Sequence, residues 1–140
     1  MKVDLLKFAT NNIFLIVAAV VSGAMLLWPL LRRGGGGSSV STLEAIQLIN
    51  HQSATVVDVR EPDEYQKGHI LNARNVPLGQ VEARVGEIEK FKDKPLIIAC
   101  ASGSRSGSAA AMLRKRGFTQ VFNLNGGITA WLQAGLPVEK

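Results

Sequence analysis

The longest apolar run of the chain extends from residue 13 to residue 31 and contains nineteen residues without a charge. At about 1.5 Å per residue, a helix of that length spans roughly 28 Å, close to the hydrocarbon thickness of a bilayer. A cleaved signal peptide has a shorter apolar core and ends in small residues, whereas Arg32 and Arg33 follow directly here. A buried core helix this long would need a larger protein around it. The run predicts a transmembrane helix over 13–31, with membrane lipid as a partner.

After residue 40, short apolar segments alternate with segments of helical periodicity. Residues 41–44 (STLE) have the form of a capping box and begin a helix. The segments 55–59 and 96–99 predict buried strands, and residues 61–63 (EPD) are expected to end the first. The other expected elements are strands at 73–76 and 121–124 and helices at 81–91, 106–116 and 128–133.

Strands that alternate with helices predict an α/β fold with a parallel sheet covered on both faces. The glycine- and serine-rich segment 34–39 (GGGGSS) is expected to be a flexible linker. We therefore expect a membrane anchor at 1–33, the linker at 34–39 and one folded domain at 40–140. In parallel sheets ligands bind at the carboxyl ends of the strands, and Cys100 follows the segment 96–99.

The charge distribution argues against nucleic acid as a partner. The net charge is +5, of which residues 1–33 contribute +3 and the remaining residues only +2. The domain has no basic stripe with interleaved aromatic residues, which nucleic-acid binding favours. Cys100 is the single cysteine, so an internal disulfide and a multi-cysteine zinc site are excluded, and His51 and His69 are not spaced as metal ligands. No metal and no cofactor are expected.

The segment 100–106 (CASGSRS) is the strongest candidate for chemistry. It joins a predicted strand to a predicted helix, and the small residues Ala101, Ser102, Gly103 and Ser104 let the backbone curl so that successive N–H groups point inward as an anion nest. The helix after it adds a positive end, and Arg105 adds a permanent charge. A thiol in such surroundings is expected to have a lowered pKa and to be a nucleophile, whereas a lone cysteine that ends a buried strand is otherwise an inert core residue.

Several short pieces follow one another along the domain in a fixed order. They are VDVRE at 57–61, EY at 64–65, GHI at 68–70, NA at 72–73 with Asn75 and Pro77, CASGSRS at 100–106, GF at 117–118 with Val121 and Leu124, GG at 126–127, Trp131, and GLP at 135–137. Together they resemble the rhodanese family and cover nearly all of 40–140. A membrane anchor ahead of a single such domain is similar to a known bacterial arrangement.

The resemblance implies a parallel five-stranded sheet flanked by helices and sulfur transfer through a persulfide on Cys100. By this resemblance Cys100 accepts a sulfane sulfur from thiosulfate or a persulfide donor, and a thiol, which can belong to a protein, or cyanide takes it. The amides of a loop hold the sulfur, and Arg105 helps to bind the anionic donor; the loop residues are Ala101, Ser102, Gly103, Ser104, Arg105 and Ser106. Ala101 and Ser102 carry no charge where some thiosulfate-using relatives have basic residues, which argues against thiosulfate as the physiological donor.

Two other functional classes use a similar sequence. A cysteine-dependent phosphatase or arsenate reductase has the same kind of cradle, but the phosphatases carry one residue more between cysteine and arginine than the four found here. A non-catalytic, membrane-tethered binding module would have no need of a thiol in an anion nest. We therefore expect a sulfurtransferase.

The membrane orientation is expected from chemistry, because two basic residues flank each side of the apolar run and leave the charge rule undecided. A persulfide relay needs reduced thiols, so the domain is expected on the cytoplasmic side of the bacterial inner membrane, behind a single span. Within the domain, His69 is expected to make a structural hydrogen bond and Trp131 to pack in the core. Four charged residues are expected to form one structural ion-pair cluster: Asp58, Arg60, Glu61 and Glu64.

Overall fold

Two helices form the N-terminal part of the chain. The structure, a computed structural model, describes residues 4–32 and 38–140, with the side chains of 29–32 excepted. The chain divides into two compact units, residues 1–36 and 37–140. Residues 34–37 of the linker predicted at 34–39 lie outside the described residues, and Ser39 belongs to the first strand.

The N-terminal unit contains helices α1 (Leu5–Asn11) and α2 (Ile13–Arg32). Among the residues described with their side chains, no single helix is both long and apolar enough to cross a membrane. The segments Leu5–Asn11 and Ile13–Trp28 meet that criterion only together, by length and composition, and they are bent by 80° at the break between them. The transmembrane helix predicted over 13–31 is therefore not confirmed.

The second unit is built on a five-stranded parallel sheet. Its strands, and a separate pair of short strands, are β1 (Ser39–Val40), β2 (Thr55–Asp58), β3 (His69–Ile70), β4 (Arg74–Asn75), β5 (Leu96–Ala99), β6 (Val121–Leu124) and β7 (Val138–Glu139). The spatial order is β1-β6-β5-β2-β4, and β3 pairs antiparallel with β7. The helices are α3 (Thr42–Gln52), α4 (Pro62–Gln66), α5 (Val81–Arg84), α6 (Ser104–Lys115) and α7 (Gly127–Gln133). The parallel five-stranded sheet flanked by helices is confirmed.

Several elements differ from the expected ones for local physical reasons. The helix expected at 81–91 is α5 followed by two 3₁₀ turns, Val85–Glu87 and Glu89–Phe91, because Gly86 lowers helix propensity in the middle of the segment. Strand β2 ends before residues 61–63 as expected, and Pro62 in addition begins α4, where its missing N–H removes no hydrogen bond. Helix α6 begins two residues earlier than expected, inside the loop that follows Cys100.

The hydrophobic core lies on both faces of the sheet, and β5 at its centre is completely buried. Alternate residues of β5 point to opposite faces, as the strand period requires. One face packs against α6, through Leu96, Ile98, Cys100, Ala109, Ala110 and Leu113. The other packs against α7, through Ile97, Ala99, Leu124, Ile128 and Trp131. Trp131 is buried as expected, and its Nε1 donates to the carbonyl of Pro137 at 3.0 Å. Cys100 thus continues the β5 row that faces α6.

Candidate active site

Cys100 directly follows β5, the central strand, and its side chain is 1% exposed. Three residues separate it from Ser104, where α6 begins. The last of them, Gly103, has φ of 103°, a left-handed conformation that favours glycine. A Cβ at this position would lie 3.4 Å from the carbonyl oxygen of Leu124. The tight turn at Gly103 therefore brings the first residues of α6 over the sulfur atom.

The N-terminal turn of α7 fixes the start of this loop. The Ile128 N–H donates to the carbonyl of Cys100 at 2.8 Å, and the N–H and hydroxyl of Thr129 donate to the carbonyl of Ala101 at 3.1 and 2.9 Å. Gly127 allows this approach, because a Cβ there would collide with both carbonyl oxygens. In a planar trans peptide the N–H points opposite to the C=O. Holding the two carbonyls toward α7 therefore directs the next two amide N–H groups away from it.

The sulfur of Cys100 accepts hydrogen bonds from the curled loop. The Gly103 N–H donates to Sγ at 3.0 Å, and Ser106 Oγ lies 3.2 Å from Sγ. Burial raises the pKa of the thiol, but hydrogen bonds from Ser106 and from the backbone N–H groups of Gly103 and Ser102 outweigh it. The pKa of Cys100 is therefore lowered overall, which favours the thiolate.

Arg105 lies in the first turn of α6 and contacts Glu64 on α4. Its guanidinium forms a bidentate pair with Glu64, with Nη1 donating to Oε2 at 2.7 Å and Nη2 donating to Oε1 at 2.8 Å. This hydrogen bonding, together with the Glu61 N–H, lowers the pKa of Glu64 to about 2. The same pair raises the pKa of Arg105 above its ordinary value. The positive charge at the rim of the loop is thus already matched by a carboxylate.

The predicted site residues divide by burial as well as by contact. Cys100 and Ser106 are buried, Ala101, Gly103 and Arg105 are half-buried, and Ser102 and Ser104 are exposed. The structure brings Gly103 and Ser106 onto the sulfur, whereas the Arg105 side chain is held by Glu64. Within residues 4–32 and 38–140, no three His, Cys, Asp or Glu side chains are close enough together to bind a metal ion.

A parallel sheet with a cysteine loop at the carboxyl end of its central strand can be compared with known proteins. The family described as "Rhodanese-like domain" matches residues 41–134, which is more than half of the chain. The chain belongs to the rhodanese-like family.

Relatives and solved structures of the rhodanese-like domain agree with this assignment. An uncharacterized Bacillus subtilis protein, YqhL, is 48% identical over 58% of this chain, and the match spans 63% of that protein's length. A protein named sulfurtransferase from Allochromatium vinosum is 39% identical, over 66% of this chain and 84% of that one. The crystal structure of a rhodanese-related protein from Thermoplasma volcanium has a TM-score of 0.66 at 33% identity, over 73% of this chain and 97% of that one. The relatives support a sulfurtransferase-type enzyme coarsely.

The charged residues near β2 of the rhodanese-like domain form two pairs rather than the single cluster expected. Buried Asp58 accepts from Arg60 Nη2 at 2.7 Å, and the same nitrogen donates to the carbonyl of Gly68. Glu64 instead pairs with Arg105 on α6. His69 makes the expected structural hydrogen bond, with Nδ1 3.0 Å from the carbonyl oxygen of Tyr65. These contacts tie the chain after β2 to the rim of the loop.

Sequence reasoning missed one residue of the site, Asn123 on β6. Its Oδ1 accepts from the Ser106 hydroxyl at 2.6 Å, and its Nδ2 donates to the Gly103 carbonyl at 3.0 Å. Asn123 therefore contacts both Gly103, whose N–H donates to the Cys100 sulfur, and Ser106, whose hydroxyl oxygen lies 3.2 Å from it. The sequence held a signal for it, because Asn123 is a polar residue inside the apolar segment 121–124. The carboxyl ends of neighbouring parallel strands meet at one edge of a sheet, so a polar residue near the end of this strand could be expected close to Cys100.

Proposed function

We propose that this protein is a sulfurtransferase that moves a sulfane sulfur to a thiol or cyanide through a persulfide on Cys100. The carrying observation is the contact of Cys100 Sγ with the Gly103 N–H and Ser106 Oγ at the carboxyl end of a buried parallel strand. Hydrogen-bond donors of this kind stabilise a thiolate, which is the nucleophile that such a transfer needs. The A. vinosum relative named sulfurtransferase adds support from the family.

In the first half of the reaction the Cys100 thiolate attacks the outer, sulfane sulfur of the donor. A sulfur–sulfur bond forms to Sγ while the donor's own bond to that sulfur breaks, and the electron pair leaves with sulfite from thiosulfate or with a thiolate from an organic persulfide. The product is a persulfide whose negative charge lies on its terminal sulfur. We expect the loop amides from Ala101 to Ser106 to hold that terminal sulfur, as the Gly103 N–H already holds Sγ.

In the second half an acceptor thiolate attacks the terminal sulfur. The new persulfide leaves on the acceptor, and the electron pair of the broken bond returns to Cys100 Sγ as a thiolate. Neither half-reaction requires a general base at the site once the thiol is ionised, which agrees with the structural hydrogen bond of His69. The acceptor is a small thiol, a protein thiol or, in an assay, cyanide.

Loop size supports sulfur rather than phosphoryl transfer. Four residues separate Cys100 from Arg105, and α6 already begins at Ser104, so the ring of amides is small. A phosphoryl group has three non-bridging oxygens and needs a wider nest than one terminal sulfur. The loop also lacks an aspartic acid that could protonate a leaving alcohol. We expect negligible hydrolysis of aryl phosphates.

Intact-mass analysis of the purified protein after exposure to thiosulfate or glutathione persulfide tests the proposal. The expected result is the added mass of one sulfur, removed by a reducing thiol and absent from the Cys100→Ser variant. This variant is expected to lose sulfur transfer and to change stability by less than about 1 kcal/mol, since serine is close in size to cysteine. Hydrolysis of aryl phosphates through Cys100 with no persulfide would favour the phosphatase class, and neither reaction would favour a binding module.

We propose further that the N-terminal apolar run anchors the protein in the bacterial inner membrane with the domain in the cytoplasm. The support is the charge-free segment 13–31 between basic residues, and the need of a persulfide relay for reduced thiols. Protease protection in spheroplasts tests the orientation. Digestion of the domain by a protease added outside the inner membrane would contradict it.

A further inference from the structure

A chain of hydrogen bonds runs from Cys100 through Ser106 to Asn123. Ser106 is completely buried, with its hydroxyl oxygen 3.2 Å from Cys100 Sγ and 2.6 Å from Asn123 Oδ1. The amide of Asn123 is oriented by its other end, because Nδ2 donates to the carbonyl of Gly103 at 3.0 Å. An amide turned the other way would set two oxygen acceptors against each other there, so Oδ1 must face Ser106.

The Ser106 hydroxyl carries only one proton, and two acceptors compete for it. While Cys100 is a thiol, its S–H can donate to Ser106 Oγ and the hydroxyl can donate to Asn123 Oδ1, so every donor has an acceptor. When the thiol loses its proton to solvent, the sulfur can only accept. If Ser106 turns its proton onto Sγ, Asn123 Oδ1 is left without it, although no covalent bond of Ser106 breaks.

A persulfide restores the first arrangement. Its charge lies on the terminal sulfur, which the loop amides surround, while Sγ becomes an uncharged bridging atom and a weak acceptor. The Ser106 proton can then return to Asn123 Oδ1. The free thiolate is therefore the one state of the cycle in which Cys100 and Asn123 both need the same proton.

We propose that Asn123 is a positioning residue that holds the single proton of Ser106 away from Cys100 Sγ, and thereby favours the persulfide over the free thiolate. The effect on the persulfide rests on the proposed sulfur transfer, whereas the effect on the free cysteine does not. The charged groups around the sulfur are the pairs Arg105–Glu64 and Arg60–Asp58, and a change at Asn123 leaves both pairs in place.

A double-mutant cycle on the full-length protein separates this role from simple support of the loop. The pH midpoint of Cys100 alkylation by iodoacetamide is measured for the wild type, Asn123→Ala, Ser106→Ala and the double variant. Asn123→Ala removes the hydrogen bond to the Gly103 carbonyl whether position 106 is serine or alanine. It can release the Ser106 proton only where Ser106 is present. Where Ser106 is present, we expect Asn123→Ala to shift the alkylation midpoint to lower pH. Relative to the shift that Asn123→Ala causes in the Ser106→Ala protein, the difference should be at least about 0.5 pH unit, a factor of about 3 in the ionisation constant.

Equal shifts with Ser106 and with Ser106→Ala, or a higher midpoint only where Ser106 is present, would overturn the proposal.

Asn123→Leu, which also lacks the acceptor but fills more of the space, repeats the cycle in case alanine destabilises β6. In a fixed mixture of glutathione persulfide and glutathione, the persulfide-loaded fraction should fall relative to unloaded protein by at least about threefold in Asn123→Ala. If the wild type never forms a persulfide, the proposed function fails, and the alkylation cycle still decides whether Asn123 holds the proton.

Discussion

Arg105 and Glu64 carry opposite charges at the rim of the cysteine loop, and about one third of each side chain is exposed. A guanidinium that already shares two hydrogen bonds with a carboxylate has little remaining attraction for a second anion. Thiosulfate carries two negative charges, whereas an organic persulfide brings only one at its reacting end. We therefore expect the Glu64–Arg105 pair to disfavour the dianionic donor, in the same direction as the uncharged Ala101 and Ser102.

Replacing Glu64 by glutamine should release this restraint. We expect Glu64→Gln to raise kcat/KM for thiosulfate roughly 3- to 10-fold, the effect of about 1 kcal/mol from one partly exposed charge, while kcat/KM for glutathione persulfide changes less. Because the pKa of Glu64 is about 2, the carboxylate is ionised throughout the neutral range and the effect should not depend on pH there.

Asp63→Asn is the matched control for Glu64→Gln. It removes the same charge one residue away, from an exposed side chain in the first turn of α4. An equal gain for thiosulfate in both variants would show that general charge, rather than release of Arg105, sets the preference between donors.

At the scale of elements, the cysteine loop is shaped by a helix that follows it in sequence by more than twenty residues. The first turn of α7 donates to the carbonyls of Cys100 and Ala101, and Gly127 sits against them with φ of 57°. The orientation of the loop amides thus depends on packing between α7 and β5 as well as on the small residues of the loop. A disturbance of α7 should reach the sulfur through these two peptide groups.

Gly127→Ala tests that dependence. The added Cβ would collide with the Cys100 carbonyl oxygen and lie 2.7 Å from that of Ala101. Displacing these carbonyls should turn the following amides away from the sulfur, so the alkylation midpoint of Cys100 should rise toward about 8.5 and sulfur transfer should fall at least about tenfold. Stability should fall by about 2–4 kcal/mol in thermal or urea unfolding.

Gly135→Ala provides a control for backbone strain alone. Gly135 has φ of 71°, and a Cβ there would meet no atom within 4 Å. Its alanine variant should lose stability by about 1 kcal/mol and keep the wild-type alkylation midpoint. If Gly127→Ala also keeps the wild-type midpoint, α7 does not orient the loop amides.

Local patterns were sufficient for the parallel strands around Cys100, because burial and strand period are visible within a few residues. They were also sufficient for the loop, whose small residues and position after a strand indicate a nest. They could not provide contacts between distant residues, such as Arg105 with Glu64, 41 positions apart, or Thr129 with Ala101, 28 positions apart. Those pairings depend on how the strands and helices are placed in space.

At the scale of the whole molecule, the N-terminal unit exposes most of its large apolar side chains, whereas the rhodanese-like domain buries most of its own. Every buried residue of the domain core lies between Val40 and Trp131. The domain therefore has a core of its own and should fold without the N-terminal helices.

Deletion of residues 1–37 should leave a soluble, monomeric domain that transfers sulfur as the full chain does. The full-length protein should instead stay with bacterial membranes through high-salt and alkaline washing. Fractionation followed by immunoblotting measures whether each form is in the membrane or in solution. Gel filtration measures the oligomeric state, and an activity assay measures sulfur transfer. Full-length protein in the wash supernatant would contradict the anchor, and a truncated form that fails to fold would contradict the independence of the domain.

The position of that cut has a consequence for aggregation, because both edge strands of the sheet, β1 and β4, are only two residues long. Short edges offer few free backbone groups to a second chain. Beginning the chain at residue 41 would remove β1, along with the Ser38 carbonyl that accepts from the Asn123 N–H and the Val40 carbonyl that accepts from the Asn125 N–H. Strand β6, with the apolar sequence VFNL, would then become a four-residue open edge beside the cysteine loop. We expect protein shortened in this way to accumulate in inclusion bodies, whereas protein that begins at residue 38 stays in solution.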